Sequence, residues 1–181
     1  LTLYPDVAAS PRYRVTQFLP LLRAQGIECD VQAPMNAEQF ATLTGPASRH
    51  SPGWYHCREF PARLRQILAA RRYDVVFIQK CVMTAYVRGM LGLLRRRAHR
   101  LVYDIDDAVH LAPPHPLRFP WRLVEDRGQI RGLMAASDLV LAGNRWLADE
   151  AASAGAPNVE YFPTVVDADR FRPAGQDVAG D

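Results

Sequence analysis

Lysine is almost missing from this chain: Lys80 stands alone among 22 lysines and arginines. Nearly all of the positive charge is therefore guanidinium, which a GC-rich coding bias explains. Net charge is scarce too. At +3 it is too small to argue for a nucleic-acid partner. The few cysteines, Cys29, Cys57 and Cys81, are odd in number, far apart and form no CxxC pair. That pattern excludes a zinc ribbon or a disulfide framework and fits a reducing cytoplasm. No apolar run reaches the roughly 18 residues needed to span a bilayer, and no signal-peptide pattern is present. A GxGxxG loop is absent, so a dinucleotide site has no support. The five histidines lack metal-ligand spacing. An initiator methionine is absent as well. Leu1 opens the chain inside an apolar run, which reads as a piece of a longer protein.

What is present is a core. With 181 residues and 49% hydrophobic content the chain can build one well-packed domain. Periodicity predicts strands at Leu1–Tyr4, Ile27–Gln32, Asp74–Ile78, Leu101–Ile105, Asp138–Ala142 and Asn158–Phe162. Between them it predicts helices at Tyr13–Gln25, Asn36–Leu43, Trp54–Arg72, Thr84–Arg97, Arg122–Ala136 and from the Asn144 cap to Ala154. Pro20 is expected to kink the first of these, and proline-rich Ala112–Pro120 to be a loop. This alternation is the pattern of an α/β fold, a Rossmann-like parallel sheet with helices on both faces.

In such sheets ligands bind at the carboxyl ends of the strands, so the residues after each strand are the site candidates. Leu101–His110 runs from apolar residues straight into Asp104, Asp106 and Asp107, with His110 behind them. Carboxylates there can bind a metal, take a proton or hold sugar hydroxyls, or simply cap the next segment. Ser10-Pro11-Arg12-Tyr13-Arg14 follows the first predicted strand. Its small residues allow close approach of a ligand, and Arg12 and Arg14 carry the fork that matches phosphate. Lys80, directly after an apolar strand, is placed to meet an anion. His110 could serve acid–base chemistry from the same loop as the acids. The basic run Arg95–Arg100 reads as a solvated helix end, with peripheral contact to anionic headgroups as the alternative.

The acids alone leave several enzyme classes open. Asp104-Ile105-Asp106 resembles the Asp-x-Asp of haloacid-dehalogenase phosphatases, but those enzymes use a downstream lysine, and Lys80 lies upstream. Asp-Ile-Asp-Asp also matches class II terpene cyclases, whose all-helical fold conflicts with the strand pattern. Metal-dependent GT-A glycosyltransferases use an Asp-x-Asp to hold a divalent ion. The remaining reading is the acceptor side of a GT-B glycosyltransferase, where an acid or histidine after this strand works without metal.

Two further segments bear on that choice. Ala136-Ser137-Asp138-Leu139-Val140-Leu141-Ala142-Gly143-Asn144 resembles the A-D-x-V-h-x-x-S segment of family 4 type GT-B glycosyltransferases. Pro163-Thr164-Val165-Val166-Asp167 through Phe171-Arg172-Pro173 is similar to their P-N-G-V-D-x-x-x-F-x-P interdomain signature, with Thr164 and Val165 where Asn-Gly is usual. The Ser-x-Arg-Tyr-Arg and Tyr-Asp-Ile-Asp-Asp segments resemble a subgroup of the same enzymes. The four occur in matching order across nearly the whole chain.

The resemblance implies that residues 1–162 form the acceptor-side domain and 163–181 an interdomain linker, with the donor domain and its paired glutamates absent from this chain. It implies a nucleotide-sugar donor, a hydroxyl acceptor, no resident cofactor or metal, and little activity from this piece alone. The position that often carries a histidine in the family falls near Asp106, making Asp106 or Asp107 the catalytic candidate. Ser10, Arg12 and Arg14 correspond to the family's glycine-rich loop near the donor diphosphate. Lys80, His110 and Asn144 complete the expected substrate-binding set. A metal-dependent Asp-x-Asp transferase and a non-catalytic sugar- or partner-binding module are the alternatives.

Overall fold

The computed structural model describes residues 1–44, 52–84, 86–109, 111, 119 and 121–168. Four parallel strands, β1 (Val75–Gln79), β2 (Arg100–Ile105), β3 (Leu139–Ala142) and β4 (Val159–Tyr161), lie side by side in chain order. The helices are α1 (Ala9–Arg14), α2 (Leu19–Ala24), α3 (Ala37–Thr44), α4 (Pro52–Ala69), α5 (Met90–Arg97), α6 (Gln129–Ala136) and α7 (Arg145–Ser153). The result is the expected α/β, Rossmann-like arrangement.

Strand order in chain order has a packing consequence. Crossovers of one hand that step in one direction leave their helices on one face. Accordingly α4 packs on α5, α5 on α6 and α6 on α7. Against this row the strands bury Val76, Ile78, Leu101, Tyr103, Ile105, Val140 and Ala142, which meet Ile67, Leu94, Ile130, Leu133 and Leu147 in one core. The alternate strand residues Phe77, Val102, Leu139 and Leu141 face the other way and are half-buried. That second face is covered in part by α1 and the 3-10 turn Thr16–Phe18. Phe18 packs on Phe162 with ring centroids 5.4 Å apart.

Local chemistry explains the element ends. Asn36 and Gln39 form a reciprocal capping box ahead of α3: each side chain accepts the other's backbone N–H at 2.9 Å. Asn144 caps α7 as expected, its Oδ1 accepting the Leu147 N–H at 2.9 Å.

Other expectations change. The predicted helix Tyr13–Gln25 is two short helices joined by the 3-10 turn, because Pro20 has no N–H to donate and sits in the first turn of α2. The stretch before α5 is not helical: Gly89 (φ 85°) and Tyr86 (φ 50°) are left-handed. Trp121–Val124 is a separate 3-10 turn ahead of α6. Leu1–Tyr4 and Ile27–Gln32 form no strand of the sheet. Leu1 still lies along β1, donating to the Phe77 carbonyl and accepting from the Gln79 N–H at 3.0 Å, and Thr2 N–H reaches Gln32 O at 3.0 Å. Ile27 and Val31 remain exposed, so their alternation had no second face to bury. Loop Ala112–Pro120 and residues from 169 onward lie almost wholly outside the described residues.

Candidate functional site

The carboxyl edge of the sheet gathers residues far apart in sequence. β1 delivers Gln79 and Lys80, β2 delivers Asp104, Asp106 and Asp107, β3 delivers Gly143 and Asn144, and β4 leads into Phe162. Helix α1 lies across this edge.

Arg14 and Asp104 form its foundation. Both side chains are fully buried, and the Arg14 guanidinium grips the carboxylate through Nε (3.1 and 3.2 Å) and Nη2. Nη1 donates to the Phe162 carbonyl at 2.6 Å, and the guanidinium carbon stacks 4.8 Å from the centroid of the Phe162 ring. Three elements are thereby tied together: α1, β2 and the segment after β4. Gln17 extends the tie by donating to Val165 O at 2.9 Å. This corrects one expectation. Arg14 does not present its fork to a phosphate; the fork is closed inside the protein.

Burial pushes the Asp104 carboxyl up to about 6, against the pull of Arg14 and with a small further push from Asp106. A carboxyl that titrates higher folded than unfolded binds its proton more tightly in the native state. Between pH 3.8, its ordinary value, and about 6, its contribution to stability therefore grows as pH falls. We expect the stability difference between wild type and Asp104→Asn, followed by urea unfolding across that window, to widen toward low pH. A difference that is flat or narrows toward low pH contradicts this assignment.

Above this pair sit the groups that can act. Ser10 Oγ donates to Asp106 Oδ2 at 2.7 Å and accepts from Gln79 Nε2 at 2.6 Å. The other carboxylate oxygen, Asp106 Oδ1, is buried and has no donor among the described residues. Lys80 Nζ pairs with Asp107 Oδ2, the lysine nearly buried and the aspartate mostly exposed. The Lys80 backbone is left-handed (φ 76°), uncommon for a residue with a side chain. Its N–H donates to Asp104 O at 2.9 Å and its carbonyl accepts from Tyr103 OH at 2.8 Å, which hold it there. Strain of this kind concentrates at functional sites. Arg12 is half-buried against Tyr13, its guanidinium carbon 5.3 Å from the ring centroid.

Asp104 and Asp106 have separate partners: Arg14 closes on the Asp104 carboxylate, and Ser10 bonds Asp106. No cluster of three or more metal-ligating side chains occurs among the described residues.

The expected set therefore divides. Ser10, Lys80, Asp106 and Asp107 come together at the edge, while the described contact of Arg12 is with the Tyr13 ring. Arg14 is structural. Asn144 spends its side chain on the helix cap, and His110 lies outside the described residues. Gln79 and Gly143 fall in the expected site-forming loops after their strands but outside the expected substrate-binding set. The signal for Gln79 was a polar residue closing an apolar strand. Gly143 gave no signal beyond preceding a cap. Its N–H donates to Ile105 O at 2.8 Å, and a Cβ there would meet the Asp106 Cα at 3.0 Å and Ile105 O at 3.3 Å. Gly143→Ala must push the Asp106 backbone away. We expect a loss of about 1–3 kcal/mol of unfolding free energy, read by urea denaturation; unchanged stability would mean the two loops are not in contact.

Set against protein-family models, curated proteins and solved structures, the chain finds no match. Function must come from the site itself. The basic run Arg95–Arg100 lies at the opposite, amino edge, where Arg95 and Arg100 approach Asp138 at 3.8 and 3.3 Å. An open hollow of about 450 Å³ lined by Arg23, Gly26, Ile27, Glu28 and Cys29 is a dent among mostly exposed side chains and holds none of these groups. No helix among the described residues is long and apolar enough to cross a membrane.

Proposed function

We propose that this chain is the acceptor-side half of a GT-B type glycosyltransferase, moving a sugar from a nucleotide-sugar donor to a hydroxyl acceptor. The observation that carries the reading is Asp106, a carboxylate at the sheet mouth with one oxygen bonded and the other, Oδ1, buried without a donor. An unmet buried acceptor costs about 1–3 kcal/mol, which a ligand hydroxyl would recover if the groups covering Oδ1 shift to admit it. Asp106 then draws the acceptor proton as the hydroxyl oxygen attacks the anomeric carbon and the nucleotide leaves. Arg12 and Lys80 supply positive charge near the leaving phosphates or an anionic acceptor. The sequence resemblance supports the same assignment, because the post-strand acid falls at Asp106.

The separate partners of Asp104 and Asp106 weigh against a metal-dependent Asp-x-Asp transferase. The resemblance puts the donor-holding domain outside residues 1–181, so the assay needs the complete gene product. Free thiols at Cys29 and buried Cys81 favour a reducing, cytoplasmic setting.

The test incubates the complete gene product with nucleotide-activated sugars of several bases, with and without glycoside acceptors. Released nucleotide and product mass are measured. Release of one nucleotide together with an acceptor heavier by one sugar residue is expected. No release from any donor overturns the reading.

A further inference from the structure

We infer that Ser10 and Gln79 are positioning residues that fix the Asp106 carboxylate through Oδ2 and leave Oδ1 as the oxygen with no donor among the described residues. This inference rests on the function proposed above.

The direction of each hydrogen bond follows from elementary chemistry. A carboxylate only accepts, and a serine hydroxyl has one proton. At 2.7 Å from Asp106 Oδ2, the Ser10 proton is committed to the carboxylate. The Ser10 oxygen then has only lone pairs left for Gln79, 2.6 Å away, so the amide must present its NH₂. That fixes the amide orientation and leaves Gln79 Oε1 pointing elsewhere. Gln79 Oε1 is indeed buried without a donor among the described residues.

The relay is rigid because of where its members sit. Gln79 is the last residue of β1, wholly buried, and its backbone is paired in register with Asp104. Ser10 belongs to α1, which Arg14 anchors to Asp104 four residues later. Asp106 follows β2 directly, and the close pass of Gly143 limits its backbone. Ser10 thus holds the carboxylate, Gln79 holds Ser10, and Gly143 confines the Asp106 backbone. Fixing a reacting group in its attack geometry lowers the barrier without adding contacts to the ground state. The relay therefore acts on kcat rather than on substrate affinity.

Two measurements test it. In the complete gene product, Ser10→Ala should lower kcat of nucleotide-sugar-dependent transfer about 10- to 100-fold, with KM for donor and acceptor little changed. Ser10→Thr keeps the hydroxyl and should restore most of the rate. In the 181-residue chain, NMR should show a slowly exchanging Ser10 hydroxyl proton that is lost in Ser10→Ala. Full kcat in Ser10→Ala, a threonine variant as slow as the alanine one, or an effect confined to KM overturns the positioning role. Absence of a protected hydroxyl overturns the relay itself. A wild type that turns over no nucleotide sugar overturns the proposed function and the positioning role with it, while the NMR result still decides whether the relay exists.

Discussion

Arg14→Met lowers the unfolding free energy of this chain by about 3–5 kcal/mol. The substitution keeps the apolar stem of the side chain and deletes the guanidinium, its charge and its N–H donors together. Asp104 then lies fully buried with no counter-ion, and the Phe162 carbonyl loses its donor. Stranding a buried charge is the costly event, not losing an attraction. The reverse experiment separates the two. In the double variant Arg14→Met, Asp104→Leu no charge is left inside, and replacing a buried ion pair by packed apolar groups is near neutral. Urea denaturation should show the double variant recovering most of the loss. Additive losses in the two single variants would show that Arg14 and Asp104 act independently.

If the proposed sugar transfer is the activity, Asp106→Asn lowers its rate about 100- to 10,000-fold, the range associated with a positioned general base. Asparagine keeps the size of the side chain, and its carbonyl oxygen still accepts from Ser10. The loop and the fold are therefore retained, while the amide at the other position donates hydrogen instead of accepting a proton. Asp107→Asn separates the two candidate acids. Asp107 is 60% exposed and already paired with Lys80, so its loss should raise KM more than it lowers kcat. The opposite ranking would move the catalytic role to Asp107.

The parallel core and the edge it exposes were legible because both follow from pattern. The runs Val75–Ile78 and Leu101–Tyr103 are apolar and lead straight into polar residues, as parallel strands ending at a site do. The position of the acids after a strand was equally plain. The roles of neighbouring residues were not. Asp104 and Asp106 are two apart, yet one is sealed inside by Arg14 and the other faces Ser10. Arg12 and Arg14 looked interchangeable as phosphate ligands, and only the close approach of Asp104 to α1 turns Arg14 inward. Contacts that bridge about ninety residues, as Arg14–Asp104 and Ser10–Asp106 do, leave no local trace. The same blindness produced the predicted strand Ile27–Gln32, whose alternation is real but whose partner face is missing.

The most direct test of the account is the nucleotide released from a nucleotide sugar by the complete gene product, compared between wild type and Asp106→Asn at equal folded concentration. The account predicts acceptor-dependent release by the wild type and its near-abolition in the variant, with the thermal unfolding midpoint almost unchanged. Equal release by the two proteins would contradict the account.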